Sequence, residues 1–565
     1  MRIKLILFSA MIFCLSQTFA KETTVELQAP LFDNLGSFHF PISTKVSLAQ
    51  RFFDQGMILF YGFEWGEAIR SFREATRLDP NCAMCYWGLA LALGSKMNAP
   101  MTGKEYQDAR TAIHKAVSLR NFVTETEQDY INALALRFKH LPKPISPGKT
   151  GTFSCHTANT SFDKSSPEEM LDYSNAMKKL VKKYPLDNNM KALYAWALFE
   201  TIEWKFWDST GKINPVTPEI ISVLEAALAN DELHVGANHF YIHVIEASPT
   251  PELALPNADR LTTLVPGSEH LVHMPSHIYL RTGKYHESTN SNLQAIHAFN
   301  IYNSLCRQQG FEPEINYLYF HNYDFLRSTA TIEGRKALAL SAVQSMLAPP
   351  FPDWLKNEPE LQWFIPIPYY VKARFGMWKE LLAEPKPQDQ YQYAVGMWHY
   401  GRGMAFVHTK DEAKATDELA HLDKIIASGP ADKTLQDDSI SLLKIAQAIL
   451  HAQIANSKGD KAASLASLQL AMKTQQAMHY HEPPDWYFPV TEMLADAYLK
   501  WSNPKKAVEL YRQTLKQFPN NGWALFGLAK ALRALGEDEE ANKVDAEFKN
   551  AWKYADVASP IPLFN

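Results

Sequence analysis

Apolar residues recur along most of this chain of 565 residues at three- and four-residue spacing, which predicts amphipathic α-helices. Gly, Asn and Pro separate the helical stretches, and the alternating pattern of a half-buried strand is nearly absent. In the first clear helix pair, Gly56 marks a close helix contact, and Pro80 follows the second helix. Ala68, Phe72 and Ala75 run down one face of that second helix. The sequence therefore predicts an all-α protein built from helical hairpins.

The same offsets return in the middle and near the end of the chain. The repeated positions are Ala254, Ala258, Leu261 and Pro266, then Leu494, Ala495, Tyr498, Ala507, Tyr511 and Pro519, and finally Leu528, Ala529, Leu532 and Ala541. Helical hairpins with small residues at their contacts and a period of about 34 residues are typical of tetratricopeptide repeats. We therefore expect an α-solenoid of such hairpins, stacked into a curved superhelical array.

Shifts in composition divide the chain into segments. We predict a signal peptide at 1–20, N-terminal repeats at 21–139, a long loop at 140–167, central repeats at 168–346, a linker with short helices at 347–388 and C-terminal repeats at 389–556. At the start, Arg2 and Lys4 precede an apolar run, and Ala20 ends a cleavage-like site. This pattern predicts export to the periplasm or beyond the cell.

Charge and cysteine content narrow the class of protein. The formal net charge is −5 without long blocks of one sign, so no nucleic-acid surface is indicated. No stretch after the signal peptide is long and apolar enough to span a bilayer. An oxidising compartment favours at least one disulfide, but the sequence does not give the pairing. The candidates are Cys82, Cys85, Cys155 and Cys306, of which Cys82 and Cys85 could instead serve redox or metal chemistry.

Histidines carry the strongest chemical signal. His239 and His243 are one helical turn apart, and so are His273 and His277. The two pairs are one repeat apart, because 273 − 239 and 277 − 243 both equal 34. Imidazoles on neighbouring helices could therefore converge on one or two metal ions. The predicted ligand set is His239, His243, Glu246, His270, His273, His277 and His321.

The types of donor atom limit which metal ions this site would bind. Imidazole with one carboxylate suits zinc, copper, iron or nickel, and export together with the nearby Met274 favours copper or zinc, with iron as an alternative. No His-Glu-x-x-His protease motif is present, since His286 and Glu287 lack the second histidine. Because protonated imidazole cannot bind a metal, we expect affinity to fall below about pH 6.5.

An enzymatic role is left open by the sequence. No catalytic residue is assigned, although Glu246, Glu269 and Asp324 are candidates for a general base. The alternative hypothesis is a scaffold whose histidines line a concave groove that binds a peptide or partner protein, without metal or catalysis.

Two further patches contain donor groups. Residues 479–482 (HYHE) could chelate, but the following Pro483 and Pro484 favour a rigid junction between repeats. His399 and Arg402 lie on another predicted helix that could line the same groove.

Four segments resemble a family of exported bacterial tetratricopeptide proteins of similar length. They are residues 81–88 (NCAMCYWG), 236–243 (GANHFYIH), 273–279 (HMPSHIY) and 521–528 (NGWALFGL). The resemblance implies a repeat fold and export, and it places the histidine-bearing helix faces along a ligand groove. It implies no particular reaction.

Overall fold

The computed structural model describes residues 26–565 except 95, 97–100, 102, 140–165, 209, 314–317, 350, 358, 430–434, 436–437, 563 and 565. The predicted signal peptide and most of the predicted long loop, including Cys155, lie outside the described residues. Within the described residues the chain is helical, with one isolated bridge between Trp207 and Ile213 and no strand. The prediction of an all-α fold is confirmed.

The described residues up to Glu246 form nine helices and two short 3₁₀ turns, Arg120–Phe122 and Leu136–Phe138. The helices are α1 (Ser47–Tyr61), α2 (Trp65–Leu78), α3 (Ala83–Leu93), α4 (Gly103–Leu119), α5 (Glu125–Ala135), α6 (Pro167–Lys183), α7 (Asn188–Ile202), α8 (Thr217–Asn230) and α9 (Val235–Glu246).

The described residues after Glu246 also form α-helices, with 3₁₀ turns at Pro251–Ala254 and Pro359–Phe364. Its helices are α10 (Leu255–Leu264), α11 (Glu269–His273), α12 (Pro275–Arg281), α13 (Tyr285–Gln308), α14 (Leu318–Ile332), α15 (Lys336–Met346), α16 (Phe351–Asn357), α17 (Ile367–Arg374), α18 (Trp378–Leu382), α19 (Gln392–His408), α20 (Glu412–Ser428), α21 (Asp438–Ser457), α22 (Lys461–Gln476), α23 (Val490–Lys500), α24 (Pro504–Gln517), α25 (Gly522–Leu535) and α26 (Asp538–Ala551).

Small residues let neighbouring helices approach closely. Phe72 of α2 is fully buried between α1 and α3. A β-carbon added at Gly56 would lie 2.7 Å from the Phe72 ring, and one at Gly88 would lie 2.4 Å from it. Only glycine fits at these two positions without displacing the ring. The predicted close contact of the first repeat is therefore present.

Two large apolar cores divide the described residues. The first core runs from Leu35 to Tyr279 and the second from Phe320 to Phe564. The C-terminal repeats pack back onto the central helices, where the indole N–H of Trp523 donates to the carbonyl of Thr331 at 3.0 Å. Helices α9 to α14 therefore lie where the two cores meet.

A proline breaks the helix that carries three of the predicted ligands. Pro275 lacks an N–H, so the helical hydrogen bonds are interrupted between α11 and α12. Ser268 caps α11 by accepting the backbone N–H of Leu271 at 3.3 Å. None of the described helices combines the length and apolar character that a bilayer crossing requires.

Candidate metal centre

Helix α9 is held against the end of α1. A β-carbon at Gly236 would lie 2.4 Å from the ring of Tyr61, so glycine allows the two helices to touch. The backbone carbonyl of Tyr61 then accepts a hydrogen bond from Nδ1 of His239. This contact orients His239 with its other nitrogen, Nε2, towards the neighbouring helix.

His239, His243 and His270 form the group that we call the first triad. One nitrogen from each ring can be chosen so that all three lie within 4.8 Å of one another. The Nε2 atoms of His239 and His270 are 3.1 Å apart, and the rings of His239 and His243 have centroids 4.7 Å apart. Helices α9 and α11 thus bring three predicted ligands together.

His273, His277 and His321 form the second triad, which satisfies the same 4.8 Å limit. The Nε2 atoms of His273 and His277 are 3.0 Å apart. The ring of His321, on α14, has its centroid 4.7 Å from that of His273. The second triad therefore needs three separate helices, α11, α12 and α14.

Two carboxyl groups contact the outer nitrogens of the triads. Oε1 of Glu246 lies 3.0 Å from Nδ1 of His243, and its Oε2 lies 3.4 Å from Nδ1 of His277. Oε2 of Glu482 lies 2.6 Å from Nδ1 of His277. Such contacts orient imidazole ligands in metal sites and raise their basicity.

Hydrogen-bond partners fix the tautomers of two histidines. The carbonyl of Tyr61 can only accept, so His239 carries its hydrogen on Nδ1. The amide of Asn292 donates to the carbonyl of Ser288 at 2.8 Å, so its Oδ1 accepts from Nδ1 of His273 at 2.7 Å. In both rings Nε2 is therefore the lone-pair nitrogen, and it faces another imidazole.

The centre is buried between aromatic rings. Phe63 stacks on His243 with ring centroids 5.4 Å apart, and Phe325 lies 4.6 Å from His277. The six histidines are between 0 and 6% exposed. The structure corrects the expectation that these helix faces line a concave groove. They are buried, covered by Phe63 of the first core, by Phe325 of a smaller apolar cluster and, at His277, by Glu482.

Burial also sets the protonation of the metal-free site. It lowers the pKa of His239 to about 3 and that of His273 to about 4. Both rings are thus neutral, as metal ligation requires, well below the pH of 6.5 at which we expected affinity to fall. Burial, and then the charge of Glu482, raise the pKa of Glu246 well above its usual range. Burial likewise raises the pKa of Glu482 to about 7, although Arg281 and Tyr480 act in the opposite direction.

Tyr480 connects the centre with the surface. Its hydroxyl donates to Glu482, which contacts His277. Nη1 of Arg281 donates to the same hydroxyl at 3.1 Å and to the backbone carbonyl of Glu246. Since Tyr480 is 36% exposed, this chain of contacts runs from solvent to the second triad.

Other predicted residues lie elsewhere. His399 contacts Glu418 at 2.6 Å and belongs to neither triad. Arg402 contacts the same carboxylate at 2.7 Å. Among the candidates for a general base, Glu246 lies at the centre. Asp324 instead accepts a hydrogen bond from Nε of Arg327 at 2.9 Å. Glu269 is buried in the first turn of α11.

The three cysteines that the structure describes, Cys82, Cys85 and Cys306, belong to neither triad. The sulfur atoms of Cys82 and Cys85 are 2.10 Å apart at the start of α3. Cys306 is buried near Arg70, with its sulfur 3.8 Å from Nη2 of that residue.

Sequence reasoning missed Glu482 and Asn292. Glu482 stands in the donor-rich patch that we interpreted as a rigid junction, 205 residues from His277. Its place in that patch was a signal, since a carboxylate beside two histidines is a common metal-site composition. Asn292 gave no comparable signal.

Comparison with known proteins supports the repeat. The tetratricopeptide repeat family matches residues 498–544. No curated protein sequence matches the chain. Solved structures that match include the P58(IPK) TPR domain, with 11% identity over 87% of this chain and 99% of that chain and a TM-score of 0.21. The structure of yeast Tom70 has 12% identity over 88% of this chain and 90% of that chain, with a TM-score of 0.26. The structure of the human IFIT1 dimer with m7Gppp-AAAA has 11% identity over 90% of this chain and 91% of that chain, with a TM-score of 0.30.

Proposed function

We propose that this chain is a helical-repeat protein that holds transition-metal ions in its two buried histidine triads, with copper or zinc as the metal. The observation that carries the proposal is the convergence of two sets of three imidazoles within 4.8 Å. Three neutral imidazoles and an open fourth position are a common arrangement for a reactive metal ion.

The orientation of the rings favours an ion over a purely structural cluster. Nε2 of His273 is a lone-pair nitrogen 3.0 Å from Nε2 of His277. If His277 carries its hydrogen on Nδ1, towards Glu482, two lone pairs face each other, and a cation relieves their repulsion. If its hydrogen is on Nε2, a metal must displace that proton. Only in the second case does metal binding release a proton.

Elemental analysis of the purified protein tests this proposal. We expect stoichiometric copper or zinc, and loss of that metal in the double variant His239→Ala, His273→Ala. His408→Ala is the matched control, because His408 is also largely buried and stacks on Trp378 at 4.1 Å, away from the triads. Metal-free parent protein that also fails to bind added copper or zinc would refute the proposal.

Export remains part of the proposal. The charged and apolar start of the chain supports it, and so do the adjacent sulfur atoms of Cys82 and Cys85, which suit a disulfide in an oxidising compartment. Cell fractionation, together with the mass of the mature N-terminus, tests it. A cytoplasmic protein with residues 1–20 intact would contradict it.

A second candidate function, peptide binding, is favoured by a groove of about 900 Å³ near the start of α7 and α9. Exposed Leu186 and Leu233 line it beside Asp187 and Asp231, so it suits an apolar, basic peptide. An array of such peptides should bind the parent protein and not the variant Leu186→Asp, Leu233→Asp. Equal retention by both proteins would exclude this groove.

A further inference from the structure

We propose that the two triads form one dinuclear copper centre that binds dioxygen between its ions. This inference rests on the proposed metal site and goes beyond it, because it names the number of ions, their coupling and the ligand. Four features of the structure lead to it: the spacing of the triads, their donor set, the nearby charges and the burial.

The triads are close enough to act as a pair. Ring centroids within the first triad are between 4.7 and 5.9 Å apart. Between the triads, the rings of His270 and His273 are 6.1 Å apart, and those of His243 and His277 are 6.3 Å apart. The gap between triads is therefore little larger than the spread within one, and ions in both can share a small ligand.

The donor set favours copper. Each triad offers three imidazole nitrogens, while Glu246 and Glu482 contact the outer Nδ1 atoms of His243 and His277. Among divalent first-row metals, nitrogen donors bind copper most tightly. Imidazole also accommodates the change between the two oxidation states of copper, which zinc does not undergo.

Charge balance gives a reason for dioxygen as the ligand. Cations in the triads favour the ionised forms of Glu246 and Glu482, which lie beside His243 and His277 and offset part of the charge of two Cu(I) ions. Two Cu(II) ions carry two further positive charges in a buried site, so they need two further negative charges. Dioxygen supplies them when each Cu(I) gives it one electron: the product is peroxide, with charge −2, between two Cu(II) ions. Electrons and charge balance without a proton or another reactant.

Burial restricts what can reach the ions. The histidines are 0 to 6% exposed, and Phe63 and Phe325 cover their rings. A peptide or sugar would have to displace these rings, whereas dioxygen is small and apolar.

The test uses the full mature chain, freed of metal, loaded anaerobically with Cu(I) and then exposed to dioxygen. We expect two copper ions per chain, uptake of one dioxygen per two ions, an intense near-ultraviolet absorption band and little Cu(II) signal in electron paramagnetic resonance. The signal is weak because the two unpaired electrons couple through the shared ligand.

A variant of one triad separates paired from single ions. His321→Gln should bind one copper ion, give a full Cu(II) signal after oxidation and lose the absorption band. Glu418→Gln, which alters the distant contact with His399, is the matched control and should behave like the parent.

Two copper ions that give two full Cu(II) signals in the parent, or one ion per chain, would overturn the dinuclear centre and leave the metal site intact. Two zinc ions with no copper binding would also overturn it. Failure to bind any metal would refute the proposed function itself.

Discussion

The two histidine triads offer the same donors but are assembled differently. The first triad comes from α9 and α11, and its histidines span residues 239–270. The second draws on α11, α12 and α14 and contacts Glu482, which is far along the chain. The first belongs to consecutive hairpins, whereas the second also contacts a carboxylate that the C-terminal part of the chain brings onto the central helices.

This difference shows how a repeat array can bury a polar centre. One hairpin stack places imidazoles on a helix face, and closure of the array covers that face and adds a carboxylate. The first triad should therefore tolerate loosening of the second core, while the second triad should be lost with it. The following changes test that contrast.

Single histidine substitutions should have the largest effect. His273→Ala removes one of three ligands from the second triad, so we expect its ion to be lost and the ion of the first triad to remain. His239→Ala should do the reverse. Metal content measured after dialysis against a weak chelator checks both, and equal loss of all metal in each variant would contradict two separate triads.

Glu482→Gln should weaken metal binding at the second triad more than at the first. The amide lacks the negative charge that the carboxylate places beside Nδ1 of His277, and loss of such a partner typically costs about 10- to 100-fold in metal affinity. Competition with a chelator of known affinity measures this effect. Glu418→Gln, at the similar contact with His399, is the control and should leave both affinities unchanged.

The stability of the metal-free protein should depend on pH through the buried histidines. The pKa of His239 is lowered from about 6.5 in the unfolded chain to about 3 in the folded one. The unfolded chain therefore takes up this proton at a higher pH than the folded chain. Above pH 6.5 the titration of His239 leaves the free energy of unfolding nearly unchanged, whereas by pH 5 it lowers that free energy by about 2 kcal/mol.

A variant separates the effect of His239 on the pH dependence of stability from that of Glu246 and Glu482. Their raised pKa values have the opposite effect, because they increase the free energy of unfolding as the pH falls. Between pH 7 and pH 5, the free energy of unfolding should fall further in the parent than in His239→Leu. Urea unfolding of chelator-treated protein measures the difference. A parent that loses no more stability than the variant would be evidence against a neutral buried imidazole.

The smallest effects should come from the aromatic walls. Phe63→Leu and Phe325→Leu keep the site apolar but leave space beside His243 and His277, respectively. We expect each to cost about 1 kcal/mol in unfolding free energy. Each should also change the metal spectrum of its own triad more than that of the other. Identical spectral changes in both variants would argue against distinct surroundings.

Much of this arrangement could be predicted from local patterns. Helical spacing placed His239 and His243 on one face, and the period of 34 residues placed His273 and His277 on the equivalent face of the next repeat. Both inferences need only residues that are near each other along the chain.

The remainder depends on how distant repeats meet. The burial of the triads and the contact of Glu482 with His277 arise when residues 205 positions apart come together. Periodicity within a repeat does not report the curvature that accumulates over many repeats. For the same reason, the sequence could not distinguish an open groove from a covered centre.

Anomalous X-ray diffraction from crystals of the metal-loaded protein tests the central claim most directly. Our account predicts an absorption-edge peak at each triad, about 2.0 Å from Nε2 of His239 and of His273, respectively. A metal bound only at the protein surface, or peaks at neither triad in protein that contains stoichiometric metal, would contradict it.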